Sequence, residues 1–238
     1  MTVDGLREER VDGVLTVIFD RPEARNALTV AMRQRLEALC VEVDVDPTVD
    51  VLVITGVDPV FCAGADVKEI AALGRGLPPT NPGAAIREVR KPVIGAVNGP
   101  CVTGGLEIAL SCDFLIASEQ ARFADTHARL GVLPRWGMSA LLPRAVGVRY
   151  AKELTATGAP IDATEALRVG LVNHVVPHGA LGSRTRDLAD AVRRSDQRAV
   201  AASLRIYDEG QNLSFDEALS LEAERSASWV IDLTGFGT

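Results

Sequence analysis

The sequence predicts an α/β fold, and three observations carry that prediction. Two continuous Val/Ile/Leu runs, "VDVLVITG" over residues 49–56 and "KPVIGAVNG" over residues 91–99, have the composition of strands buried on both faces. Stretches with helical spacing alternate with strand-like runs as far as "LVNHVVPHG". Beyond it, residues 180–229 contain no strand-like run and read as consecutive amphipathic helices. Two parts are therefore expected: an α/β core over residues 1–178 and a helical region over residues 179–238.

Taken in order, "VDGVLTVIFDRP" reads as a turn and a strand over residues 14–19, ended by Pro22. Thr29 is the expected N-cap of a helix whose apolar positions are Val30, Met32, Leu36, Leu39 and Cys40. Helices are expected at residues 67–73, 84–89 and 105–111, after the strand-like runs. "CDFLIASEQARFAD" supplies two short strands, and "LLPRAVG", "RYAKELTATG" and "ATEALRVGL" are short helices punctuated by Gly and Pro. The Pro/Gly-rich patch "GRGLPPTNPG", residues 74–83, is the expected mobile loop.

With 238 residues and 47% hydrophobic content, the chain can bury a substantial core. Lys plus Arg total 25 against 32 for Asp plus Glu, a net charge of −7 that argues against a nucleic-acid surface. Cys40, Cys62, Cys101 and Cys112 lie in or beside apolar segments without a CxxC pair, so reduced core thiols are expected rather than a disulfide framework or zinc site. The charged N-terminus lacks a signal-peptide core, and no apolar stretch approaches the roughly 20 residues of a membrane span. A cytoplasmic protein is expected.

The chemistry concentrates in three motifs. In "VTGGLE", Gly104 and Gly105 stand at a helix start, where free N–H groups bind negative oxygen and the missing Cβ atoms let a ligand approach. The spacing of Thr103, Glu107 and Ser111 by itself favours an ordinary polar stripe facing solvent, and Glu107 in the first turn suits the helix dipole. "VFCAGADVKEI" repeats the design, either as a second anion-binding turn or as a tight turn with Asp66 as N-cap. "FADTHARLG" puts Asp125 and His127 two residues apart, a spacing open to a proton-transfer pair, a metal pair or a satisfied structural histidine. His174 and His178 show no companions in the sequence, so no metal site is expected. Signatures of a phosphate loop, a dinucleotide-binding turn and a serine nucleophile elbow are lacking.

"FDRPEARNALT", "FCAGADVKEI", "KPVIGAVNGPCVTGGLEIALSCD" and "ATEALRVGLVNHVVP", in that order and spacing, resemble the crotonase superfamily of enoyl-CoA hydratases and isomerases. The resemblance implies a crotonase-like spiral of ββα units with a C-terminal helical region for oligomerisation, a homotrimer or a hexamer of two trimers. It implies an acyl-CoA thioester bound between the "AGAD" and "TGG" turns, with oxyanion N–H donors on Ala65 and Gly104. Such donors typically contribute about 3 to 4 kcal/mol each to stabilising an enolate. Motif matching points to Arg25, Ala27, Ala63, Ala65, Asp66, Val67, Lys68 and Gly104 for coenzyme A. Coenzyme A enters as part of the substrate, so no separate cofactor is implied.

Glu107 matches the first of the hydratases' two catalytic glutamates; the second position is His127. An imidazole with an ordinary pKa of about 6.5 can replace the missing acid, and Asp125 can orient it or act itself. The resemblance therefore implies hydration of an enoyl-CoA. Double-bond isomerisation or another enolate reaction by Glu107 alone, and an acyl-CoA carrier without chemistry, are the alternatives. Trp136 and Met138 in "LPRWGMSALL" either shape the acyl pocket or are helix core. Set against the resemblance, the stop at "DLTGFGT" is expected to fall short of the family's usual C-terminus.

Overall fold

The computed structural model describes residues 4–76 and 78–231, so Leu77 and "DLTGFGT" lie outside the described residues. The chain opens with a hairpin of β1 (Leu6–Val11) and β2 (Val14–Phe19), joined by Asp12 and Gly13. Both turn residues have positive φ, 45° and 77°, matching the two-residue "DG" turn that follows the twist of paired strands. The first strand was not anticipated because "LREERV" is largely charged. It is an edge strand with only Leu6 buried, so outward charge is compatible with pairing and discourages further strand addition.

Thr29 caps α1 (Val30–Val45) by accepting a hydrogen bond from the Met32 N–H at 3.2 Å. Next come β3 (Val51–Gly56), α2 (Val67–Leu73), α3 (Pro82–Glu88), β4 (Val93–Val97), β5 (Cys101–Val102) and α4 (Gly104–Leu110). Then follow β6 (Phe114–Ser118), β7 (Arg122–Ala124), α5 (Met138–Val146), α6 (Val148–Thr157), β8 (Ile161–Asp162), α7 (Ala163–Arg168) and β9 (His174–Val176). The helices α8 (Leu181–Arg193), α9 (Gln197–Gly210) and α10 (Phe215–Ala227) close the described chain.

The large sheet has the order β1-β2-β3-β4-β6-β9, parallel from β2 onward, and a small sheet has the order β5-β7-β8. The chain thus advances one strand per turn. The strand after β4 and the strand after β6 both leave for the small sheet, which gives the spiral of ββα units.

The continuous apolar runs are explained by burial on two sides. Leu52 and Ile54 of β3 face the main core with Met32, Leu36, Leu39 and Val43 of α1, whereas Val51 and Val53 face a second core completed by Leu181 and Ala189 of α8. This second core corrects the expected boundary at residue 178. The chain divides into compact units at Met1–Ser195 and Asp196–Thr238, because α8 belongs to the sheet rather than to the helical appendage. The second unit contains α9 and α10. Ser214 and Glu217 form a capping box at the start of α10, and the Arg198 guanidinium lies 5.2 Å from the Trp229 ring. Among the described residues no helix is long and apolar enough to cross a membrane.

Pro82 and Gly83 are buried at the start of α3, and Asn81 caps that helix through the Ala84 N–H.

Candidate active site

The "AGAD" and "TGG" turns meet over the start of α4. Leu28 donates to the Gly64 carbonyl at 2.8 Å and Asp66 donates to the Leu28 carbonyl at 3.0 Å. Neighbours on both sides of Ala65 are thereby tied to Leu28, so the Ala65 N–H faces away from it. Neither the Ala65 nor the Gly104 N–H has a hydrogen-bond partner among the described residues.

The two turns touch backbone to backbone. A Cβ on Gly64, whose φ is +93°, would lie 2.9 Å from the Gly104 nitrogen. One on Gly104 would meet the Trp136 ring at 2.6 Å and the Gly64 Cα at 3.1 Å. The expectation that Gly104 lacks a side chain to admit a ligand is therefore revised: the protein's own Trp136 fills that space.

Thr103 precedes α4 with φ of 56°, an unusual conformation for a β-branched residue. Its N–H donates to the Ala124 carbonyl at 2.9 Å, and its hydroxyl is hydrogen-bonded to that of Thr126.

The solvent-facing stripe expected on α4 is overturned. Thr103, Glu107 and Ser111 are all buried, because Leu106, Ile108 and Ala109 cover the remaining faces and the helix runs through the core. Glu107 is only 2% exposed. Its Oε1 accepts from the Trp136 N–H at 2.7 Å and the Met138 N–H at 3.1 Å, which leaves Oε2 turned toward His127 Nε2 at 3.5 Å. Trp136 and Met138 thus hold the carboxylate with their backbones, a role that side-chain motifs do not reveal.

His127 stands between two carboxylates. Its Nδ1 donates to Asp125 Oδ1 at 2.7 Å, and its backbone N–H donates to the same oxygen at 3.2 Å. Asp125 Oδ2 accepts from Thr155 Oγ1 at 2.7 Å. Asp125 is fully buried, and although burial raises its pKa, the bonds from His127 and Thr155 outweigh that and keep it below its ordinary value. Burial lowers the His127 pKa, but pairing with Asp125 and Glu107 overcomes it and raises the imidazole to about 9. The raised pKa of His127 and the lowered pKa of Asp125 favour a protonated ring beside an ionised Asp125. Asp125 thus accepts three hydrogen bonds, two of them from His127.

The residues matched to coenzyme A gather beside these turns. Ala63 donates to the Arg25 carbonyl at 3.1 Å, which joins "EARNAL" to "AGADVK". Asp66 is the N-cap of α2, accepting from Lys68 and Glu69 N–H groups, and also pairs with Arg21 at 3.1 Å. Burial raises the Asp66 pKa, but these donors hold it below the usual range. Arg25, Val67 and Lys68 are exposed, and Ala27, Ala63 and Ala65 are partly so. Arg25 and Lys68 make no ion pair among the described residues. Asn26, absent from the sequence-derived set, is fully buried and ties this loop down by donating to the Val57 and Val60 carbonyls.

His178 does have companions, contrary to its sequence context. Its Nδ1 lies 2.9 Å from Ser118 Oγ and its Nε2 lies 3.1 Å from Asp58 Oδ2. Ser118 is fully buried and its oxygen also accepts from the Gln120 N–H, so this serine–histidine–aspartate line presents no nucleophile. Cys40 and Cys62 are free, and burial pushes both thiols up to about 12. Cys101 is buried and free, and Cys112 is free but only partly buried. Among the described residues no group of three or more His, Cys, Asp or Glu is placed to hold a metal ion.

A stepwise parallel sheet, a small second sheet and two contacting backbone turns over one buried glutamate define a crotonase-type fold. The family model for enoyl-CoA hydratase/isomerase matches residues 9–229. The chain is similar to a crystal structure of an enoyl-CoA hydratase from Mycobacterium avium, 45% identical, with TM-score 0.81 over 94% of this chain and 96% of that one. An enoyl-CoA hydratase structure from Bacillus anthracis gives TM-score 0.87 at 30% identity, over 94% and 90% of the two chains. A crotonyl-CoA hydratase of Syntrophomonas wolfei is 35% identical over 94% of this chain and 89% of its own. The chain belongs to the enoyl-CoA hydratase/isomerase family of the crotonase superfamily.

Proposed function

We propose that this chain hydrates the 2,3 double bond of an enoyl-CoA thioester. The observation that carries this reading is the buried Glu107 carboxylate, with one oxygen fixed by two backbone N–H groups and the other facing His127. Glu107 Oε2 takes a proton from water while the resulting hydroxide adds to Cβ. Electrons move onto the thioester oxygen, held by the Ala65 and Gly104 N–H groups. The His127 imidazolium delivers a proton to Cα as the enolate collapses. The proton on Glu107 then returns to His127 across their 3.5 Å contact, restoring both groups after net addition of one water. Asp125 keeps Nδ1 protonated and Nε2 aimed inward.

Arg25 and Lys68, exposed beside the turns, supply positive charge for the phosphates of coenzyme A, with Ala27, Ala63, Asp66 and Val67 lining its path. No separate cofactor is assigned, because the chain supplies base, acid and oxyanion donors. Exposed Tyr207, Phe215 and Leu219 in the second unit support assembly as a homotrimer or hexamer. Free buried thiols are consistent with a cytoplasmic protein.

A panel of enoyl-CoA esters assayed for both 3-hydroxyacyl products and double-bond migration tests the reading. Hydration is expected to dominate. Migration without water addition would assign isomerisation by Glu107 alone, and tight binding with neither product would make the chain a carrier.

A further inference from the structure

The turn that grips Glu107 is itself held from its far side. Trp136 and Met138 offer their N–H groups to Glu107 Oε1, and Gly137 between them has a φ of 126°, a conformation that side chains rarely adopt. The Trp136 carbonyl belongs to the peptide unit lying between the two donor peptides, so its direction governs how both N–H groups converge on one oxygen. That carbonyl accepts from Nη1 of Arg87, on α3, at 3.1 Å. The same nitrogen donates to Ser111 Oγ at 3.0 Å, and Ser111 Oγ donates to the Glu107 carbonyl at 2.8 Å. One guanidinium nitrogen thus ties the turn that holds the carboxylate to the helix that carries it.

The packing is fitted to this contact. A Cβ on Gly83 would lie 2.6 Å from the Trp136 carbonyl oxygen and 2.9 Å from Ser111 Oγ, and one on Gly137 would lie 3.1 Å from Arg87 Nη1. Glycine at both places lets α3 and the turn close on the guanidinium. Gly83 and Arg87, one helical turn apart, share a face of α3. Arg87 is partly buried and pairs with no carboxylate among the described residues, so its charge strengthens these two bonds to neutral oxygens instead.

We infer that Arg87 is a positioning residue for the reaction: it aims the Glu107 carboxylate by fixing the Trp136–Met138 turn, without touching substrate. This inference rests on the hydratase reading above and deepens it. Misplacing a reacting group by about 1 Å costs on the order of a hundredfold in rate, so loosening this turn is expected to act on turnover rather than on binding.

The test is a double-variant cycle of Arg87→Met with Glu107→Gln. Three quantities are read: kcat for crotonyl-CoA hydration, butyryl-CoA affinity by calorimetry, and hydrogen exchange at the Trp136 and Met138 amides by NMR. Arg87→Met is expected to lower kcat about ten- to a hundredfold and to leave butyryl-CoA affinity within about twofold. Exchange at both amides should quicken about tenfold or more. In the Glu107→Gln background the same substitution should change residual turnover by less than about twofold, because the group it aims is gone. Arg87→Lys keeps the charge but not the planar fork; it should lose about three- to tenfold in the same pattern, and it decides if Arg87→Met does not fold. Unchanged kcat, an equal loss with and without Glu107, or weakened affinity that accounts for the lost turnover overturns the inference. No hydration by the wild type would reject the hydratase reading, and amide exchange would then decide on Arg87 alone: faster exchange in the variant keeps its hold on the turn, and unchanged exchange removes it.

Discussion

His127 and His178 sit in similar company and differ in almost everything that makes a reactive site. Each ring lies between an aspartate and a second polar group. Around His127 both carboxylates are buried and the ring faces an oxygen left open by Glu107's other bonds. At His178 the aspartate side chain is 62% exposed and the serine is sealed in the core. Solvent screens the first kind of contact far less than the second, so charge on the His127 ring is felt more strongly by its neighbours. An inventory of residue types does not separate the two histidines; burial and the free valence of the neighbouring oxygen do.

Substitutions can break or sharpen that contrast. The largest effect is expected from Glu107→Gln, which removes the proposed base while keeping the shape. Hydration should fall about a thousandfold or more, with saturated acyl-CoA affinity changed little, read by turnover and calorimetry. Replacing His127 by Ala should lower kcat by roughly a hundredfold, and unchanged hydration of crotonyl-CoA would reduce this residue to a pocket wall. Asp125→Asn leaves the ring in place but misdirects its protons, so a loss of roughly 10- to 100-fold is expected in kcat. His178→Gln should change kcat by less than about twofold, and stability by less than about 1 kcal/mol in urea titrations, as for other exposed pairs.

Folding stability supplies an independent contrast. The His127 pKa is raised in the folded protein to about 9, above its ordinary value. Its contribution is present in full below an unfolded-state pKa of about 6.5 and is lost as pH rises through 9. That contribution is roughly 3 kcal/mol, so the wild type should lose stability over this window more steeply than His127→Gln.

Much of the fold was legible because burial on two faces writes continuous apolar strands, and because Thr29 and the "DG" turn carry local signals. The first edge strand and the place of α8 were not, since both are decided by what packs against them. At the site, the resemblance pointed to Glu107 and the two turns, whereas periodicity placed Glu107 toward solvent. A seven-residue helix is too short for its spacing to tell a wet face from a core one. Backbone donors on Trp136 and Met138, the contact of Gly104 with Trp136, and the bond from Arg87 to the Trp136 carbonyl belong to tertiary packing, which no local pattern encodes.

The central claim is that Glu107 and the His127 imidazolium share the work of hydration. It is tested most directly by the pH dependence of kcat for crotonyl-CoA hydration in the wild type and in His127→Gln. The wild type should lose activity as pH rises through about 9, where His127 gives up its proton, and the variant's residual activity should show no such limb. The same alkaline limb in both proteins would contradict the account.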